Sequence, residues 1–295
     1  MSWLQLCLFL CLHSTLESDK ATSPAQPAVE HSSSSETQKL MPWQIYFAGG
    51  LLPDLSGLAL KVGLYQKRIN HSQDDYWRWG AGIFGSRYLK SEIYLSRAWS
   101  QYFKTRLQYE TWFWPALFKG RGIGLAFETS TEPFDMNTLE SRSGEEELAF
   151  GHALRIRPTW LYETKRWAFV NELNLRGWLI PGKRSYWYDV SYHTLIRRGE
   201  PDFTLNNTPW VFYKVWQEKQ TNQRLWLGLL HQFTWAYSTN IARHRIGGAF
   251  IFRPLETLWG FPGITIFGIG GINLVERHRQ GKLWGAMLIL REFEF

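Results

Sequence analysis

The chain has little cysteine, no helix-length hydrophobic run and no internal linker, and each shortage removes a class of protein. Its two cysteines, Cys7 and Cys11, both lie in the opening apolar run from Trp3 to Leu12. That run has the length of a signal-peptide core and is too short to cross a bilayer as a helix. A mature chain without it would carry no thiol, which excludes a disulfide framework and thiol catalysis. No later segment approaches the roughly 18 to 20 consecutive apolar residues that a membrane helix needs. Nothing after about residue 56 reads as a linker within the 295 residues, so a single domain follows. The eight histidines are scattered without paired ligand spacing, and neither a metal nor another cofactor is expected.

What the sequence does have is aromatic residues, 17% of the chain including 17 Trp, together with a negative mean hydropathy of -0.30. Transmembrane strands produce that combination, because they dilute their apolar residues by alternation and add aromatic girdles at both interfaces. From Gly57 onward the alternation recurs in segments of roughly ten residues separated by turn chemistry. Leu58, Leu60, Val62 and Leu64 alternate with Lys61, Tyr65 and Lys67. Trp77, Trp79, Ala81 and Ile83 stand against Arg78, Gly80 and Gly82, and Leu107, Tyr109, Thr111 and Phe113 against Arg106, Gln108 and Glu110. Ile123, Leu125 and Phe127 oppose Gly122, Gly124 and Glu128. Leu225, Leu227, Leu229, Phe233 and Trp235 oppose Arg224, Gln232 and Thr234. Successive side chains of a strand point to opposite faces, so each run carries one lipid-compatible face and one polar face.

The expected organisation is a signal peptide over residues 1–18, ending as late as 25, then a disordered leader over 19–40 and a barrel with a short lead-in over 41–295. The leader is rich in Ser, Thr, Ala, Pro and Glu and lacks the apolar content that offsets ordering entropy. Met41-Pro42-Trp43-Gln44-Ile45-Tyr46-Phe47 is read as the lead-in. An even strand number requires Ser185 to Ser191 to belong to one external loop, 181–207, which leaves about twelve strands. Promoting that segment and the Trp43 region together gives the alternative of fourteen. Residues 131–147 form a second long external loop. Glu163-Thr164-Lys165 and Lys219-Gln220-Thr221-Asn222 are short turns at the opposite end. The fold class is all-β, a closed antiparallel transmembrane barrel.

The last thirteen residues, Leu283-Trp284-Gly285-Ala286-Met287-Leu288-Ile289-Leu290-Arg291-Glu292-Phe293-Glu294-Phe295, resemble the closing strand of a bacterial outer-membrane β-barrel. Barrels of that class usually end on an aromatic-x-aromatic signal read by the machinery that inserts them. The resemblance therefore implies an outer-membrane location, an insertion signal at Phe293 and Phe295, and contact with outer-membrane lipid and lipopolysaccharide. It is to the architecture as a whole, over about 57–295.

The polar face carries the functional clue. Read through the alternation it collects Lys61, Arg78, Arg106, Arg155, Arg157, Arg176, Lys214, Arg224, Arg243, Arg245 and Arg253, against Glu110, Glu128 and Glu172. An interior so biased has a positive potential and favours small anionic solutes, such as phosphorylated or carboxylated molecules. The alternative is an Arg–Glu lattice that fills a narrow lumen. The whole chain is basic, with 33 Lys and Arg against 26 Asp and Glu. Nucleic acid is nevertheless a poor partner, because the cations are spread singly through alternating runs.

Two other classes are weighed. Outer-membrane phospholipases are similar in expected strand number, but their His-x-Ser pairing followed by Asn-Gly is absent. Asn70-His71-Ser72 is the nearest approach, and its adjacent His and Ser point apart on a strand. His152, His231 and His244 fall on the lipid-facing side, where polar groups are costly. Ser238, Asn240 and His244 can be drawn as a constellation facing the outer leaflet, which would make the chain a lipid-modifying enzyme. A non-conducting structural or adhesive barrel displaying its long loops is the remaining class.

Overall fold

The computed structural model describes residues 39–52, 57–72, 74–86, 88–115, 124–130, 136–189, 194–218, 223–254, 257–258, 261–262, 265–275 and 283–294. Its strands in chain order are β1 (Lys39–Leu40), β2 (Gln44–Leu52), β3 (Gly57–Ser72), β4 (Asp75–Gly85), β5 (Leu89–Ser100), β6 (Phe103–Trp114) and β7 (Ala126–Phe127). After a short helix, Met136–Ser141, come β8 (Ala149–Glu163), β9 (Trp167–Leu179), β10 (Ser185–Asp189), β11 (Thr194–Arg198), β12 (Asp202–Gln217) and β13 (Arg224–Ala236). The last are β14 (Ile241–Arg253), β15 (Thr257–Leu258), β16 (Phe261–Pro262), β17 (Thr265–Val275) and β18 (Leu283–Glu294). No helix among the described residues is long and apolar enough to cross a membrane.

The main sheet is antiparallel and has 13 strands, in the order β1-β3-β2-β18-β17-β14-β13-β12-β9-β8-β6-β5-β4, with β3 also paired to β4. Setting aside the two-residue β1, the other twelve each have two partners, and the pairings return to their starting strand. β2 supplies the join: Gly49 pairs with Leu60 of β3 on one side and with Ile289 of β18 on the other. β1 continues the line of β2 along β3, pairing Lys39 with Ile69 and Leu40 with Arg68, and the Met41 amide donates to the Lys67 carbonyl.

Alternation sorts side chains as the sequence implies. On β3, Leu58, Leu60, Val62 and Leu64 are exposed while Lys61 and Tyr65 are buried. On β8, Phe150, Leu154 and Ile156 are exposed while Ala153, Arg155 and Arg157 are buried. The apolar residues thus face outward and the charged ones inward, the reverse of a water-soluble sheet. Outward aromatics gather toward the strand ends, with Trp99, Tyr102, Trp160, Tyr162 and Trp167 exposed at the short-turn end.

Four expectations are corrected. Gln44–Leu52 is a full wall strand rather than a lead-in, and the glycine pair Gly49-Gly50 is what hides its alternation. Lys39–Leu40, assigned to a disordered leader, is a strand. Of the expected run from Ile123 to Glu128, Ile123 lies outside the described residues, and the described part, 124–128, supplies no wall strand. Among these described residues only Ala126–Phe127 is extended, it pairs with β10 in a separate three-stranded sheet, and Leu125 and Phe127 are buried. The loop 181–207 holds the β10–β11 hairpin and gives way to the wall at Asp202. One long strand is thus gained at β2 and one expected from the 123–128 region is not seen among the described residues. Ser185–Asp189 is extended yet stays outside the wall. Residues 1–38, the turn 219–222 and Phe295 lie outside the described residues. Phe293 pairs through its backbone with Ile45.

Close approach across the β2–β3 pair needs a glycine, since a Cβ at Gly63 would sit 2.4 Å from the Tyr46 ring. Gly63→Val is therefore expected to destabilise the fold by about 1–3 kcal/mol, the usual cost of overpacking. Gly177→Ala, with nothing within 4 Å, leaves it unchanged. Urea unfolding in lipid vesicles, followed by heat-modifiable gel migration, measures both, and equal midpoints would contradict this packing.

Candidate functional site

The strand register arranges inward side chains of β3 to β9 in rows. Lys67, Arg78, Ser96, Arg106 and Arg157 are successive cross-strand neighbours. One step along each strand lie Tyr65, Gly80, Tyr94, Gln108, Arg155 and Arg176. The next row holds Glu92 and Glu110, and the one beyond it Lys61, Phe84, Lys90 and Trp112. Like charges directly opposite one another destabilise a sheet. The Glu92–Glu110 pair persists because cationic rows lie on both sides of it.

Both carboxylates are saturated. Glu92 receives Lys61 Nζ at 2.5 Å, Arg106 Nη2 at 3.1 Å and Lys90 Nζ at 3.2 Å, and Gln108 Nε2 donates to it at 2.9 Å. Glu110 accepts from Gln108 Nε2 at 2.6 Å and from Trp112 Nε1 at 3.0 Å. Arg176 lies 3.4 Å from Glu110, Lys90 3.5 Å and Arg155 3.6 Å. Glu172 takes Arg157 at 3.5 Å and Arg155 at 3.7 Å, and Asn174 Nδ2 donates to it at 2.7 Å. Three carboxylates are thus shared among six cations, all of them buried.

The wall from β12 to β17 differs. Its buried polar groups include Arg224, Arg243 and Arg245 with Thr204, Asn206, Thr208, Gln232, Thr234 and Asn273, beside the buried aromatics Trp210, Phe212, Trp226 and Phe267. Among the described residues it has one buried carboxylate, Asp202, at the very start of β12. Arg245 Nε donates to Asn273 Oδ1 at 3.0 Å, and Asn206 Nδ2 to Thr234 Oγ1 at 2.8 Å. One side of the interior is therefore an ion-pair lattice, and the other is basic and hydroxyl-rich.

The long loops fold together over one end. The β7–β10–β11 sheet buries Trp187, Tyr188, Leu195 and Ile196, and the Trp187 ring meets Trp114 edge-on at 5.4 Å. Arg198 Nη1 reaches Glu147 at 2.6 Å and so ties the two loops. The Arg197 guanidinium, hydrogen-bonded to Tyr186 and Glu200, is raised further above its ordinary pKa.

Most of the residues selected from the sequence are buried on the polar face of the sheet, and three lie elsewhere. Glu128 is exposed in a loop. Lys214 pairs with Glu163 and with the Thr164 carbonyl at the short-turn end, beside a register shift in β12. Arg253 is half-buried at the end of β14. Sequence reasoning missed Lys90 and Glu92, because Ser91 and Arg97 interrupt the apolar face of β5 and mask its alternation. The Ser238–Asn240–His244 constellation is not assembled. Ser238 Oγ donates to Asp202 at 2.5 Å, and Trp235 Nε1 donates to Asn240 Oδ1 at 3.0 Å. His244 sits 3.2 Å from His231, three residues beyond the start of β14 and so roughly 10 Å along the strand from the tip. No group of three or more His, Cys, Asp or Glu among the described residues has metal-holding geometry.

No protein-family model matches the chain, and no curated protein matches it. Solved structures do. The NanC porin matches at 10% identity and a TM-score of 0.39, covering 85% of this chain and 100% of that one. The β domain of the Bordetella autotransporter BrkA matches at 11% identity and a TM-score of 0.46, covering 86% and 98%. An outer membrane channel from Pseudomonas putida F1 matches at 10% identity and a TM-score of 0.41, covering 89% and 100%. The solved structures that the chain resembles are outer-membrane β-barrel proteins.

Replacing Glu110 with Gln leaves Lys90, Arg155 and Arg176 short of a counter-charge and is expected to cost about 3 kcal/mol, as for other broken buried pairs. Glu128→Gln, on an exposed loop, is expected to change nothing. Their urea midpoints separate the two positions, and an unchanged Glu110→Gln midpoint would contradict the lattice.

Proposed function

We propose that the chain is a closed twelve-stranded transmembrane barrel of the bacterial outer membrane that passes small anionic or polar solutes. The cyclic pairing supports closure. In hydrocarbon a spanning sheet must satisfy every backbone donor internally, and a ring with no open edge does so. The outward apolar band supports the membrane setting. With both termini on the periplasmic side, the short turns face the periplasm and the packed loops face outside. Lipid and lipopolysaccharide surround the wall, and the insertion machinery reads its closing strand.

One observation carries the solute class. Among the described residues ten buried Lys and Arg side chains (Lys61, Arg78, Lys90, Arg106, Arg155, Arg157, Arg176, Arg224, Arg243 and Arg245) stand against four buried carboxylates (Glu92, Glu110, Glu172 and Asp202). Fixed charge of one sign on a confined aqueous path sets ion selectivity, and this cationic excess supports selection for anions. The packed cap of Trp187 and Tyr188 favours a second reading, a barrel whose outer mouth is shut.

The test is the reversal potential of the refolded protein in a planar bilayer under a salt gradient. The native chain is expected to select for anions, and the change of Arg243 and Arg245 to Glu is expected to weaken or invert that selectivity. A barrel that inserts without conducting would overturn passage in favour of the shut barrel.

A further inference from the structure

Alternation puts His231 and His244 on the outward face of the β13–β14 pair, among apolar groups. Their chain neighbours Gln232, Arg243 and Arg245 are buried on the opposite face, while the outward Leu227, Leu229 and Ile246 are exposed. In register His231 stands opposite Ile246, and His244 opposite Phe233, two residues along β13 from His231. The two histidines are therefore diagonal cross-strand neighbours. They lie 13 positions apart in the chain, a spacing with no ligand signal of its own, and strand register alone brings the rings together.

Polar groups on a lipid-facing surface are costly unless partnered, and here two imidazoles are set against each other. His231 Nε2 lies 3.2 Å from His244 Nδ1, with ring centres 5.3 Å apart. The Phe233 ring packs on His244 at 4.9 Å and limits its rotation. Pairing of β14 with β17 slips by one residue just after His244, which stands opposite Val275 while Arg245 stands opposite Asn273. Irregularities of this kind re-aim a side chain and gather beside functional sites. Among the described residues neither imidazole has a second hydrogen-bond partner.

The same geometry suits a metal ion. Two Zn–N bonds of about 2.0–2.1 Å close over a 3.2 Å separation at an angle of about 100°, near the tetrahedral value. In the hydrogen-bonded pair one ring donates and the other accepts. On binding a cation the donating ring carries its proton on its other nitrogen instead, so both facing nitrogens offer lone pairs and no net proton is released. Both rings are only partly buried, which gives an ion an approach from outside the sheet. Neutral imidazole prefers Zn2+, Cu2+ or Ni2+ to the oxygen-seeking Mg2+ and Ca2+.

We infer that His231 and His244 form a two-histidine site for a divalent transition-metal ion, with the remaining coordination positions left to water. The site needs only the β13–β14 register and goes beyond solute passage; its membrane setting rests on the barrel reading above. In that setting the exposed Tyr237, edge-on to Trp235 at 5.9 Å, lies toward the hairpin tip, and the exposed Leu229 lies toward the middle of β13. The ion thus sits at the outer edge of the apolar band and staples the two strands there.

The probe is zinc chloride, titrated calorimetrically into the untagged, refolded chain in detergent, a readout that does not need an open pore. One ion per chain is expected, bound about tenfold or more weakly in His231→Gln and in His244→Gln, since each removes one of the two ligands. His152→Gln, which changes an outward histidine hydrogen-bonded to Tyr109 at 2.8 Å, should leave the affinity unchanged, and excess Mg2+ should not compete. If a glutamine variant does not refold, sub-stoichiometric Cu2+ on the native chain decides. Its electron paramagnetic resonance spectrum is expected to show two imidazole nitrogens, and one or none would overturn the site. Absence of zinc binding, or equal affinity in the native chain and both glutamine variants, would also overturn it and leave a plain hydrogen-bonded pair. Heat-modifiable gel migration of the same samples keeps failure of the site distinct from failure of the barrel reading.

Discussion

Backbone hydrogen bonding is the constraint on which everything else depends. A strand has two rows of donors and acceptors, and where no water can reach them both rows must find strand partners. The antiparallel sheet meets that demand at β2, which pairs with β3 on one side and with β18 on the other. The packing of Tyr46 over Gly63 belongs to the same join.

Once the strands are fixed in this register, side-chain chemistry has little freedom. Every second residue faces inward, so cross-strand neighbours form rows, and the rows decide which charges meet. Glu92 and Glu110 are forced side by side and hold their place through Lys61, Lys90, Arg106, Arg155 and Arg176. On the far wall the same register brings Arg243 and Arg245 among threonines and amides. The folded loops add a structured end, with Trp187 set against Trp114.

Much of this was legible in the sequence because a period of two survives wherever the outward residues are apolar and the inward ones charged. β3, β6 and β8 satisfy that condition, and their Lys61, Arg106, Glu110, Arg155 and Arg157 are buried on the face the alternation assigns to them. The reading failed where other residues interrupt the pattern. Gly49 and Gly50 remove the apolar contrast from β2, and Ser91 and Arg97 do the same on β5, which concealed Lys90 and Glu92. The Leu125–Phe127 stretch failed for the opposite reason, since its alternation serves a loop core rather than a lipid face. Partners across strands, such as Asp202 for Ser238, depend on register between distant segments, which no local pattern encodes.

In the proposed barrel, β2 closes the ring against β18. Cysteine pairs at Gly49 with Ile289 and at Gly50 with Leu288, which are register partners, test it most directly in a background with Cys7 and Cys11 changed to Ser. Adjacent register pairs alternate between the two antiparallel pair types, so one of the two has Cα atoms about 4.5 Å apart, within reach of a disulfide. The account predicts that one pair oxidises readily within a single refolded chain while a pair shifted by several residues does not. Failure of both register pairs to cross-link in a folded barrel would contradict closure through β2.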